Sequence, residues 1–92
     1  LYTPRTMGPP QWSDMGMWLQ SLMLLLTEAG LGSCAQECWA VYGATVRREL
    51  GIADDQILFC GLAIGHADTD NPVNGWPVPR APLDEVIAWQ GF

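Results

Sequence analysis

The sequence predicts an α+β fold. Its first half carries two segments of strong helix formers, each closed by a glycine. Its second half carries an apolar run without a polar face, and a short alternating segment near the end. The order helix, helix, strand, long loop, strand groups the element types instead of alternating them, which is the α+β pattern. Ninety-two residues allow one small domain at most.

Residues 1–11, LYTPRTMGPPQ, hold three Pro and one Gly and read as an extended arm or loop. A first helix is expected from an N-cap at Ser13, with Asp14 in the first turn. Trp12 and Met17 are spaced as the two halves of a hydrophobic staple. The helix continues to Ala29 through Met, Leu, Gln and Glu. Apolar residues fall on nearly every face of it, so it should be buried on several sides. Gly30 suits the left-handed position past the helix end, with Leu31 folding back on the last turn.

Ser33 and Gln36 fit an S-x-x-Q capping box and predict a second helix from about Gln36 to Leu50. Trp39, Gly43, Val46 and Leu50 recur at helical spacing as its core stripe, and Arg47 and Arg48 face outward near its end. Gly51 is the second helix stop. After a turn at residues 53–55, QILFCGLAIGHA (residues 56–67) reads as one central strand buried on both faces. Residues 68–82 hold four Pro and one Gly, which excludes a regular element. In the last segment, Val86 and Ala88 alternate with Ile87 and Trp89, as in a terminal strand. A helical turn over residues 83–86 competes with that reading.

Composition narrows the function. Hydrophobic residues make up 49% of the chain and charged residues 15%, with five Trp. A domain this small buries only ~60% of its unfolded surface, so the excess suggests a face that packs on something else. The start at Leu1 has neither an initiator Met nor a signal-peptide pattern, which gives the expectation of a longer fold. A complete small protein with a processed start is the alternative. Net charge is −6 with four Arg and no Lys, a poor basis for nucleic-acid binding. Three Cys, an odd count, argue against a closed disulfide framework and favour a cytoplasmic chain with reduced thiols. The longest apolar run, LMLLL, is too short to span a bilayer.

Several constellations invite chemistry. GLGSC is not a phosphate loop: its glycines follow a helix, and the P-loop Lys has no counterpart in a Lys-free chain. What it leaves is a helix start at residues 35–38 whose backbone N–H groups are free. Cys34 and Cys38 form C-x-x-x-C, and Cys60 falls in the apolar run. As a metal or thiol-redox set with His66 they lack helpful spacing, so packing is the favoured reading. Arg80 is the sole Arg after Arg48 and stands in a Pro-stiffened loop. It either pairs with Asp84 or Glu85 or anchors an anion, since guanidinium matches phosphate bidentately.

Taken in order, three stretches resemble the C-terminal half of the FMN-dependent nitroreductases. They are WSDMGMWLQSLMLLLTEAGLGSCAQECWAVYGATVRRELGI, then ILFCGLAIGHADTDNPVN, then RAPLDEV. The similarity covers residues 12–89. It implies a helix-flanked mixed sheet in an intertwined homodimer, with FMN at the dimer interface and residues 1–92 as the C-terminal portion of the domain. It also implies two-electron chemistry: NAD(P)H reduces FMN, and a nitroaromatic, quinone or similar electron-poor acceptor reoxidises it.

The resemblance carries over to the cofactor-binding positions Ala35, Gln36, Glu37 and Cys38, whose backbone would lie along the flavin ring. The Glu37 N–H would meet the N5 edge, and Arg80 would bind the phosphate. The flavin carries the chemistry, so no catalytic side chain and no metal ligand is expected. Two departures stand out. Pro77, Val78 and Pro79 replace the basic approach that relatives often carry before this Arg. The family's N-terminal Arg/Ser phosphate motif and ring-contacting Asn have no counterpart, so these residues alone would not complete an FMN site. The alternative function is a non-catalytic remnant of the fold, acting as a dimerisation or interaction module without FMN.

Overall fold

The computed structural model describes residues 1–91. A short strand β1 (Tyr2–Pro4) opens the chain and pairs antiparallel with β3 (Gln56–Leu58), Thr3 opposite Ile57. Backbone bonds flank the ladder on both sides, Phe59 N–H to Leu1 O at 2.9 Å and Arg5 N–H to Asp55 O at 2.8 Å. Residues expected as an arm are thus partly strand, because the pairing partner lies more than fifty positions away. Pro4, which lacks an N–H, sits at the strand end, where proline is tolerated.

Helix α1 (Pro10–Glu28) starts three residues before Ser13. Pro9 is the N-cap and Pro10 takes the first helical position, where a missing N–H costs nothing. Ser13 therefore lies inside the first turn and caps nothing. Gln11 is buried beneath the incoming chain, and its amide, turned to donate, reaches Pro4 O at 3.0 Å and Met7 O at 3.2 Å. That tie holds the Pro-rich entry against the helix. The other end matches expectation. Gly30 takes φ 77°, its N–H bonds Thr27 O at 3.0 Å, and the Leu31 N–H bonds Leu26 O at 2.9 Å. These are the paired bonds of a Schellman stop.

The second helix departs from its prediction. Gly32–Gln36 forms strand β2, paired antiparallel with β4 (Gly61–Gly65) from Gly32 opposite Gly65 to Gln36 opposite Gly61. The Ser33–Gln36 capping pattern is overridden because sheet pairing takes that backbone first. A 3-10 helix (Glu37–Tyr42) follows, then α2 (Gly43–Leu50). Gly51, at φ 65°, ends α2 as predicted, with the Ile52 N–H on Arg47 O at 2.9 Å. Arg48 is exposed and pairs with Glu49 at 3.1 Å. Arg47 instead turns inward, its Nη1 donating to Gln56 O at 2.8 Å.

The apolar run of residues 56–67 is two strands, not one. It breaks at Phe59 and Cys60, so β3 serves β1 and β4 serves β2. The loop after β4 is irregular as expected, with a 3-10 turn at Pro72–Gly75 whose Asn71 Oδ1 accepts from the Val73 N–H at 3.1 Å. The terminal strand does not form. Leu83–Val86 is a helical turn, α3, with Pro82 as N-cap, Asp84 and Glu85 in its first turn, and the Ile87 N–H on Leu83 O at 2.8 Å.

Among the described residues only Leu58 (6% exposed) and Cys60 (0%) are buried hydrophobic side chains. The accessible surface is 7488 Å². A compact globule of 10.1 kDa would expose about 5,300 Å². The radius of gyration is 16.9 Å, against about 12 Å for a compact chain of this length. The surplus is roughly 2,200 Å². Large apolar groups supply much of it, from Leu24 and Leu25 on α1 to Trp76 and Trp89 in the C-terminal segment.

Candidate functional site

Residues 35–38 sit where the chain leaves the sheet. Ala35 and Gln36 are the last two residues of β2, and Glu37 and Cys38 open the 3-10 helix. The predicted α-helix start is therefore a strand-to-turn junction. The ladder ends at Gln36 opposite Gly61, and Gln36 adopts φ −127°, ψ 83°. No side chain caps the turn. The N–H groups of Glu37 and Cys38 are its first two donors, which have no acceptor inside the turn. Ala35, Glu37 and Cys38 are exposed, and Gln36 is half-buried.

Gln36 has a specific partner. Its Oε1 accepts from Trp39 Nε1 at 2.9 Å, bridging the turn from its N-cap to its third residue. Trp39 in turn lies against Gly61. A Cβ built at Gly61 would stand 2.6 Å from Trp39 Cδ1. Sequence reasoning read Trp39 only as a core residue and passed over Gly61. A glycine inside an apolar strand run was the available signal, since it often marks a close approach. The predicted core stripe is not buried: Trp39 is 46% and Leu50 63% exposed, because little of the described chain packs over that face. Trp39, Val46 and Leu50 face Leu58, Cys60 and Leu62 across a cavity of about 250 Å³.

Arg80 stands apart from this junction. Every residue from Ala63 to Gly91 is exposed, and neither helical turn of that segment packs extensively on another element. Arg80 Nη1 donates to the carbonyls of its neighbours Val78 and Pro79, both at 3.3 Å. The alternative pairing with Asp84 or Glu85 is not formed: among the described residues the one ion pair is Arg48–Glu49. Among the described residues the guanidinium is thus held only by long neutral bonds.

The thiol and metal alternative finds no assembled group. Among the described residues no three His, Cys, Asp or Glu side chains gather in a metal-holding arrangement. Cys34 and Cys38 are exposed while Cys60 is buried. Burial pushes the Cys60 thiol above its ordinary range, with the Glu37 carboxylate adding to the rise. His66 borders an open groove of about 660 Å³ between α1 and the ends of β2 and β4. Among the described residues no helix is long and apolar enough to cross a membrane.

A Schellman-stopped long helix, an antiparallel β2–β4 pair and a strand-to-turn junction at Gln36 define a recognisable α+β unit. The chain belongs to the nitroreductase family, whose family model matches residues 2–66. Among its relatives is the nitroreductase NfnB of Mycolicibacterium smegmatis, 40% identical over 86 residues, or 94% of this chain and 36% of that protein. A 4-nitrobenzoate reductase of Pseudomonas putida is 33% identical over 81 residues, covering 88% of this chain and 36% of that protein. Among solved structures, the FMN and NADPH-dependent nitroreductase NfnB from Sphigopyxis sp. strain HMH superposes with a TM-score of 0.96. It is 76% identical, covering 99% of this chain and 41% of that one. The chain thus spans little more than a third of the curated relatives it matches.

Proposed function

We propose that these residues work as the C-terminal portion of an FMN-dependent NAD(P)H oxidoreductase of nitroreductase type. The observation that carries the reading is the 76% identity, over 99% of the chain, to a nitroreductase described as FMN and NADPH-dependent. The residues present fit a flavin mononucleotide in two respects. The turn after β2 is uncapped, so the Glu37 and Cys38 N–H groups are open to an electron-rich ring edge. The Arg80 guanidinium is free of any carboxylate among the described residues, which suits a phosphate. FMN, when bound, supplies two-electron transfer from NAD(P)H to a nitroaromatic, quinone or similar electron-poor acceptor.

In this reading Ala35, Gln36, Glu37 and Cys38 lay backbone along the flavin, and the Glu37 N–H is the donor to its N5 edge. Arg80 anchors the phosphate from the C-terminal segment. A homodimer, together with the rest of the nitroreductase domain, would cover the apolar surplus described above. A flavin-free interaction module was motivated by Pro77–Pro79 and the missing phosphate motif. High identity to an FMN-dependent enzyme, across those same residues, weighs against it. The free thiols support a cytoplasmic site of action.

The test is reconstitution of the full-length protein. It should purify yellow or take up added FMN, and oxidise NADPH faster when a nitroaromatic acceptor is supplied. A well-folded protein that stays colourless with excess FMN would remove the reading.

A further inference from the structure

We propose that Gln36, Trp39 and Gly61 form a clamp that positions the Glu37–Cys38 peptide, so that the turn keeps its orientation without a cap. Its relevance to the flavin rests on the functional reading above. A 3-10 turn has poorer hydrogen-bond geometry than an α-helix and is easily re-oriented. This one also lacks the side-chain cap that would fix its entry. The structure supplies a substitute. The Trp39 Nε1–H to Gln36 Oε1 bond, at 2.9 Å, joins the residue before the turn to the residue after Cys38. It closes a ring around the two peptides whose N–H groups stay open.

The ring is seated on the sheet. Gly61 is the ladder partner of Gln36, and a Cβ there would lie 2.6 Å from Trp39 Cδ1, 3.2 Å from Nε1 and 3.3 Å from Cγ. The indole therefore rests on bare backbone at the register position that ends β2. Cys60, the residue before Gly61, is fully buried. Gln36, Trp39 and Gly61 are positioning residues. None needs to bring its side chain to the cofactor: the Gln36 and Trp39 side chains and the bare Gly61 backbone act through the backbone of Glu37 and Cys38.

The experiment uses the full-length protein with Gln36→Leu, which removes the acceptor, Trp39→Phe, which removes the donor, and Gln36→Glu, which keeps an acceptor. Three quantities are read: hydrogen exchange at the amides of residues 39–42 in the flavin-free protein, the FMN dissociation constant, and the visible circular dichroism of bound flavin. Gln36→Leu and Trp39→Phe should each speed that exchange and raise the FMN dissociation constant roughly two- to tenfold, the span of one neutral hydrogen bond. Both should alter the flavin dichroism, and Gln36→Glu should restore all three. Wild-type exchange in Gln36→Leu and Trp39→Phe would overturn the clamp. Faster exchange with unchanged FMN affinity and dichroism would overturn its role toward the flavin. If the wild-type protein itself takes up no FMN, the functional reading and the flavin role both fall, and the exchange data alone still decide the clamp.

Discussion

Adding one methyl group at Gly61 tests the packing beneath the turn most directly. In Gly61→Ala the new carbon would sit 2.6 Å from Trp39 Cδ1, about 1 Å inside normal carbon–carbon contact. Cδ1 belongs to the rigid five-membered ring near the base of the side chain, so it cannot bend away as a flexible tip would. The indole must swing, which breaks its 2.9 Å bond to Gln36 Oε1. Overpacking of this kind costs about 1–3 kcal/mol. Loss of the bond adds about 0.5–1.5 kcal/mol. The sum is a destabilisation of roughly 1.5–4.5 kcal/mol, read as a lowered urea midpoint at unchanged slope in the full-length protein. Gly43→Ala is the control. Its Cβ would meet Leu58 Cβ at 3.7 Å, an ordinary contact, and alanine favours the helix by about 0.5–1 kcal/mol. A second arm places Gly61→Ala in a Trp39→Ala background, where the obstruction is gone. There the cost should largely vanish, a coupling that independent sites do not show. If Gly61→Ala costs the same with and without Trp39, the contact is not what glycine protects there.

Three further outcomes follow from the same structure. Gly30→Ala should cost about 1 kcal/mol by urea titration: nothing lies within 4 Å of the new methyl, but φ 77° disfavours an L side chain. Cys60 should make stability fall with rising pH. Its thiol is raised in the folded state, so the neutral form's contribution is full below the unfolded value of about 8.5 and is lost as pH rises toward the folded one. Urea midpoints from pH 7 to 10 should decline in wild type and flatten in Cys60→Ala, whatever that variant's baseline. Arg80→Gln should raise the FMN dissociation constant about ten- to hundredfold by flavin titration, as for a lost charged hydrogen bond, while leaving the urea midpoint of the flavin-free protein near wild type.

Local signals were legible where local chemistry decides. Gly30 and Gly51 both take the left-handed conformation that their places after apolar helical runs require. The Schellman bonds at Thr27 and Leu26 follow from residues within six positions of one another. Legibility failed where a distant strand competed. Ser33 and Gln36 carry a good capping pattern, yet their backbone is taken by β4, about thirty residues away. The same competition turned part of the Pro-rich entry into β1 and split residues 56–67 at Phe59. The segment 35–38 was located by its family likeness. The composition of the turn did not reveal the Gln36–Trp39–Gly61 contact, because it joins residues from two strands and a turn.

The C-terminal segment shows the same physics in reverse. An alternating sequence forms a strand only when another strand offers its edge, because the backbone groups need partners. Within the described chain no edge meets residues 86–89, and Leu83–Val86 instead closes a helical turn on its own bonds, leaving Trp89 68% exposed. The signal that dominates here is the one that needs no partner: Pro82 at the N-cap with Asp84 and Glu85 in the first turn. Much of the segment's apolar surface, Val78 and Leu83 at 68% exposure among it, stays open and would stabilise the fold through surface supplied by further protein. Arg80 sits in the middle of that segment. The phosphate anchor proposed at Arg80 would therefore depend on the surface that covers Leu83 as well as on the folding of these residues.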